Sequence, residues 1–203
     1  MQDVALDACC LINLCAAGAV LRPPASSPAK ARHGAKAPAR ATSHSGFGLS
    51  LHVPTKVTAE ALYIKQPDEE DNTKLVKFPV DLQEYVAAGL LTPCDFQDQA
   101  EVELFVQMAS QLGDGEAACF AIAAKRGWAL ATDDRRATKL AADSSLAVIT
   151  TPELVKLWAE NTNARDEEIV TVLENIQKFA SFTPRASAPE YAWWVGCLGK
   201  GRK

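Results

Sequence analysis

Four acidic positions interrupt otherwise apolar stretches of this chain. They are Asp7 in VALDACCLINL, Glu60 in VPTKVTAEALYI, Glu116 in LGDGEAACFAIAA, and the pair Asp133-Asp134 in WALATDDRRA. A carboxylate set among apolar residues is costly unless something pairs with it. One divalent cation, or two, would pair with all four positions at once. Each acid also has an ordinary structural use. Asp7 directly follows Val4-Ala5-Leu6 and can cap the next helix with one side-chain oxygen. Glu60, among Val57, Ala61 and Leu62, can sit on a solvated face. Glu116 falls in the first turn of its helix, where an acid gains about 0.3–1 kcal/mol from the helix dipole. Asp114 is placed to cap that same helix. Asp133 and Asp134 repel each other unless a cation lies nearby, and Arg135-Arg136 can supply it.

Three kinds of neighbour can support such a site. Asn13, about a turn and a half of helix after Asp7, can orient an acid or a bound water, or be an ordinary polar helix position. Thr132 can hydrogen-bond Asp134 or simply end a strand. Arg135 and Arg136 can hold a phosphate or lie in a solvated first helical turn.

The elements that must position these residues follow from pattern and punctuation. Residues 3–6 read as a short strand, followed by a helix through Leu11, Leu14 and Cys15 that Gly18 ends. From Arg22 to Ser50 the composition shifts to Pro, Ala, Ser, Gly and basic residues with no core face, an insertion expected to be disordered or loosely attached. Order resumes with a strand at residues 51–54 and a helix expected over Thr58 to Ile64. Strands are expected at 75–78 and 90–92, on either side of a helix near 81–88. Val102, Phe105, Val106 and Ala109 mark an amphipathic helix over 98–112. After Gly113-Asp114-Gly115 an Ala-rich helix runs to Arg126, and Gly127 breaks it. Then come a strand at 128–131, a helix at 133–142, a strand at 146–149, and helices at 151–160 and 166–180.

This alternation predicts an α/β fold with a central, mostly parallel β-sheet flanked by helices on both faces. Sites in such sheets collect at the carboxyl ends of strands. Asp7 and Asp133-Asp134 both fall directly after expected strands. The pattern divides the chain into a domain over 1–160, carrying the 22–50 insertion, and a helical extension with a tail over 161–203. Trp193-Trp194 in that tail can stack bases, meet a partner, or clamp the tail onto its own core.

Composition narrows the class further. At 203 residues, with 48% hydrophobic and 23% charged residues, the chain has the balance of a globular domain with appendages. Its net charge of −4 does not advertise nucleic-acid binding, yet residues 22–52 contain basic residues and no acid, so the acidity is concentrated elsewhere. The insertion can therefore track an RNA backbone or serve as a bare linker. The six cysteines include no CxxC pair and have no neighbouring His, which argues against structural zinc. They read as buried thiols of a reduced, cytoplasmic protein. Residues 4–21 resemble a membrane segment only superficially. They lack a basic leader, and Asp7 alone would cost about 2.5–3.5 kcal/mol at the centre of a bilayer.

Taken together, LDACCLINL, VPTKVTAE, LGDGEAACFAIAAKRG and LATDDRRA resemble the PIN-domain family, metal-dependent nucleases that include the VapC-type toxins of toxin–antitoxin pairs. The match covers Asp3 to about Glu160, interrupted by the basic insertion, and GEAACFAIA followed by a strand and DDRRA is its most specific part. The resemblance implies a PIN-like fold and metal-binding catalytic acids at Asp7, Glu60, Glu116 and Asp134. Asp133 is a close second to Asp134 as ligand, and Asp114 lies near enough to Glu116 to compete with it. It implies Mg²⁺ or Mn²⁺ as cofactor, RNA as substrate, a cognate antitoxin protein as a possible partner, a homo-oligomer such as a dimer, and no membrane. Both metals prefer oxygen ligands and keep several waters, so three or four carboxylates suffice. No His or Ser nucleophile is needed, which suits a chain whose three histidines lie in or beside the insertion. The alternatives are a non-catalytic PIN-like module that binds RNA or a protein, and a receiver-like phospho-acceptor domain. The last would need a Lys at a downstream strand end, and none stands there.

Overall fold

Val4, Ala5 and Leu6 are all completely buried. Successive strand residues point to opposite sides of a sheet, so both faces are covered here. These residues belong to β1 (Gln2–Leu6), the middle strand of a five-stranded sheet in the computed structural model, which describes residues 2–18, 46–60, 62–71 and 73–200. On one side of β1 lies β2 (Leu49–Pro54) and beyond it β5 (Thr92–Cys94). On the other side lie β6 (Ala129–Ala131) and then β7 (Val148–Ile149). Every pair is parallel, with Ala5 opposite His52, Leu6 opposite Ala131, and Ala131 opposite Ile149. The expected α/β architecture with a parallel central sheet is thus present.

Helices follow the strands as parallel connections require. After β1 comes α1 (Ala8–Ala17), whose Cys10, Leu11 and Leu14 are fully buried and which packs on α7 (Thr151–Thr162) and α8 (Asp166–Asn175). The Ala-rich α5 (Asp114–Arg126) packs on β1, β2 and β6, and also against α4 (Gln99–Ala109). Its run of small residues lets the helix lie close to the sheet, and Gly127 ends it at φ 68°, a left-handed conformation that favours glycine. Arg126 and Glu101 tie α5 to α4 through a two-pronged ion pair, Nε to Oε1 at 2.7 Å and Nη2 to Oε2 at 2.9 Å.

Several boundaries differ from expectation. The helix predicted over Thr58 to Ile64 is only the short α2 (Thr55–Thr58). Tyr63–Pro67 is instead β3, paired antiparallel with β4 (Leu75–Pro79) in a separate two-stranded sheet. Apolar spacing in AEALYI mimics a helix, but Tyr63 and Ile64 gain cross-strand partners in Pro79 and Phe78. The insertion does not reach Ser50 as the composition suggests, since Phe47 is buried in the core and Leu49-Ser50 already belong to β2. The expected segment at 22–45, with Arg22, Lys30, Arg32, Lys36 and Arg40, lies outside the described residues. The strand expected at 90–92 is shifted to β5, with Leu90 and Leu91 buried as a lead-in. The short α3 (Gln83–Ala87) precedes them.

After β6 comes α6 (Arg135–Asp143). At the far end, α8 continues into a wider helical turn, Ile176–Ala180, and a helix not expected individually, α9 (Tyr191–Lys200), packs back on α8. Trp194 in α9 is fully buried and meets Phe182 edge-on, with ring centroids 6.0 Å apart. The tail is clamped onto its own core. No described helix is long and apolar enough to cross a membrane.

Candidate functional site

The connection leaving β1 leads to β2 on one side, while that leaving β6 leads to β7 on the other. Where neighbouring strands part in this way, their carboxyl ends open a crevice. Asp7 follows β1 directly, and Asp133-Asp134 follow Thr132 at the end of β6. The backbone ladder continues past the strands, with Asp7 N–H donating to Ala131 O at 3.1 Å and Thr132 N–H to Ile149 O at 3.1 Å.

Asp7 is only 1% exposed and caps α1 by accepting from Cys9 N–H at 3.1 Å. Its other oxygen accepts from the Thr132 hydroxyl at 2.6 Å and from the Cys9 thiol at 3.3 Å. An ionised carboxylate has about four acceptor positions, so the cap and the threonine bond do not exhaust it. The structural use and the chemical use are compatible in this residue.

Glu60 follows α2 on the rim, and its carboxylate lies against the Cα of Gly115, where a methyl group would overlap it. Burial, and then the negative charge of Asp7, push the Glu60 carboxyl above its ordinary value, while a hydrogen bond from the Gly115 backbone opposes the shift. Glu116 sits in the first turn of α5, and its carboxylate accepts from Gly113 N–H at 3.2 Å. Burial raises Glu116 as well, with Asp7, Asp134 and Glu60 adding to the shift and the Gly113 bond opposing it. Glu116 therefore feels the charge of all three other acids, and Glu60 feels that of Asp7. Asp114, expected as the cap of α5, does not take that place. Gly113 is in the cap position in extended conformation, and exposed Asp114 acts only as a further negative charge on Glu60.

The two adjacent aspartates divide their work. Asp133 turns inward, where Thr151 donates to it through both its backbone N–H and its hydroxyl, Asn13 donates at 3.1 Å, and the Cys10 thiol donates at 3.5 Å. Burial pushes the Asp133 carboxyl up, and these donors hold it down. Buried Asn13, 3% exposed, bridges Asp133 and Thr151, so it orients an acid as one reading of the sequence allows. Asp134 faces the crevice. One of its oxygens caps α6, accepting from Arg136 N–H at 2.7 Å and Ala137 N–H at 2.9 Å. Its other oxygen accepts no hydrogen bond among the described residues. Thr132 Oγ1 accepts from Asp134 N–H at 3.1 Å while donating to Asp7, so one hydroxyl spans both acids. Arg135 is exposed in the first turn of α6.

The donor set suits a hard divalent cation: four carboxylates, two with proton affinity raised first by burial and then by their neighbours' charge, and no described ion pair neutralising any of them. They are nevertheless spread more widely than a closed cage. Among the described residues, the only trio of His, Cys, Asp or Glu ligand atoms within 4.8 Å of one another is Cys9, Cys10 and Asp133. That trio is a poor metal site on chemical grounds. Cys10 is fully buried and its thiol is pushed far up, so it stays protonated and donates to Asp133, whose own oxygens are already engaged. Cys9, Gly115 and Thr151 thus shape the site without standing out in the sequence. Gly115, lying between two acids at a helix start, is the one with a readable signal.

No family model, no curated protein and no solved structure matches this chain.

Proposed function

We propose that this chain is a metal-dependent nuclease of the PIN type, cutting RNA phosphodiester bonds. The more particular form of the proposal is the toxin of a type II toxin–antitoxin pair. The observation that carries it is the arrangement of Asp7, Glu60, Glu116 and Asp134 around the crevice between the ends of β1 and β6, where their charges reinforce one another. Asp7 would hold Mg²⁺ or Mn²⁺ from the sheet side, with Glu60, Glu116 and Asp134 on the rim. The cation would supply neutralisation of the phosphate and a lowered pKa for the attacking water. The protein's own part is to aim these oxygens: Thr132 and Cys9 fix Asp7, Gly113 restrains Glu116, and Gly115 leaves room for Glu60.

The test is cleavage of tRNA, rRNA and mRNA with each metal, beside the Asp7→Asn variant. Metal-dependent cleavage that disappears in a folded Asp7→Asn protein supports the reading, and unchanged cleavage overturns it. The open spacing of the acids favours a second reading, a non-catalytic module that binds RNA or a protein. RNA binding without cleavage under either metal selects that one.

A further inference from the structure

A cavity of about 720 Å³ runs from the acids toward the C-terminal segment. That is within the roughly 300–1,000 Å³ typical of ligand sites. Glu116 and Asp134 stand among its lining residues, and so do Arg135, Lys139 and Arg185. Arg135, Thr138, Lys139 and Ala142 all line it, a spacing that lays one face of α6 along the cavity. The facing wall is the stretch 181–189 between the wide helical turn and α9, with half-buried Phe182 and buried Pro184.

This second wall is fastened in place. Lys65 on β3 donates to Ser181 Oγ at 2.6 Å, and Phe182 is braced edge-on by buried Trp194. Arg135, Lys139 and Arg185 are exposed and form no ion pair among the described residues. Three uncommitted cations beside a carboxylate cluster are an arrangement for an extended polyanion, not for a cation alone. The carboxylates would take one phosphate through a bound metal, and the basic groups would take its neighbours directly.

Resting on the nuclease reading, we propose that α6 and the segment 181–189 form a phosphate-binding subsite for the strand being cut. Arg135, Lys139 and Arg185 hold the backbone beside the acids, and Phe182 offers a ring to a base. The C-terminal extension is then part of the substrate site, and Arg185 is a positioning residue of it.

The test is the double variant Lys139→Ala/Arg185→Ala, measured against a fluorescein-labelled single-stranded RNA oligonucleotide by anisotropy across a salt series, with Mn²⁺ binding measured separately by calorimetry. The expected result is a loss of RNA affinity of roughly tenfold or more, as two charge-assisted hydrogen bonds to phosphate disappear. The slope of log K against log salt should also become shallower by about 0.7 for each phosphate that the protein no longer neutralises. Mn²⁺ affinity should stay at the wild-type value. The charge-keeping pair Lys139→Arg/Arg185→Lys should restore both affinity and slope. Unchanged affinity and slope in the double variant, with wild-type cleavage intact, overturn the subsite and leave the nuclease reading standing. A wild-type protein that neither binds nor cuts RNA overturns both.

Discussion

The Thr132 hydroxyl donates to Asp7 at 2.6 Å and accepts from the Asp134 backbone at 3.1 Å, joining the ends of β1 and β6 through one buried oxygen. Thr132→Val keeps the shape and removes the bond. Asp7 would remain buried with one donor fewer, costing about 1–3 kcal/mol. Mn²⁺ affinity should fall roughly 10- to 100-fold, the usual cost of losing a group that orients a ligand. Urea unfolding and calorimetric titration measure the two effects. A variant with wild-type affinity would show that the threonine does not organise the site.

Asp133 and Asp134 should separate cleanly. Asp133→Ala leaves Thr151 N–H without its acceptor and Asn13 with only the Thr151 hydroxyl, and should destabilise the protein by about 2 kcal/mol or more. Asp134→Asn keeps a good helix cap. It should leave the melting temperature nearly unchanged while weakening Mn²⁺ binding. Equal stability losses in both variants would contradict this division.

Gly115→Ala puts a methyl group where the Glu60 carboxylate now lies. Because that carboxylate is the far end of a flexible side chain, it can swing away, and stability should change by less than about 1 kcal/mol. Cation affinity should drop about as far as in Glu60→Gln, and combining the two substitutions should add little. Independent, additive losses would separate Gly115 from Glu60.

The acid cluster itself predicts a stabilising response to cations. Mutual repulsion adds to burial in raising the Glu60 and Glu116 carboxyls. Mn²⁺ at a hundred times its Kd should therefore add about 2.7 kcal/mol, or roughly 5–11 °C in Tm at about 2–4 °C per kcal/mol. Glu116→Gln should raise the Tm without cation and shrink the response to it. A thermal scan with and without Mn²⁺ decides, and no shift at saturating cation would remove the proposed ligand set.

Away from the site, the Glu101 carboxyl is held below its ordinary value first by the Arg126 hydrogen bonds. A folded value below the unfolded one, near 4.3, means that the folded state binds fewer protons. The pair's contribution is complete above that unfolded value and disappears as pH falls through the folded one. Arg126→Met should cost about 3–5 kcal/mol at neutral pH by stranding a buried charge. The gap to wild type should narrow in acid, as pH falls through the lowered folded value. Denaturation at pH 7 and pH 3 tests the sign.

The centre of the sheet is readable in the sequence because Val4-Ala5-Leu6 and Ala129-Leu130-Ala131 are continuous apolar runs followed closely by acids. The placement of Asp7 and Asp134 at strand ends follows from the same pattern. The division of labour between Asp133 and Asp134 is not readable. They are the same residue type side by side, and the donors that distinguish them, Thr151 and Asn13, lie 18 and 120 positions away. The strand expected at 75–78 is β4, but β3 escapes a sequence reading because its apolar spacing fits a helix until the partner strand is known. Nothing periodic marks residues 181–189, so the wall that they form emerges only from packing.

The bond between Thr132 and Asp7 joins residues 125 positions apart. Until β6 docks beside β1, neither Thr132 nor Asp134 can join the other acids, and contacts of such long range are slow to form. During synthesis the crevice must therefore assemble late. A ribosome-bound fragment ending before Thr132 would carry Asp7, Glu60 and Glu116 without the hydroxyl that fixes Asp7 and without Asp134, which delays any chemistry at this site until most of the chain has been made.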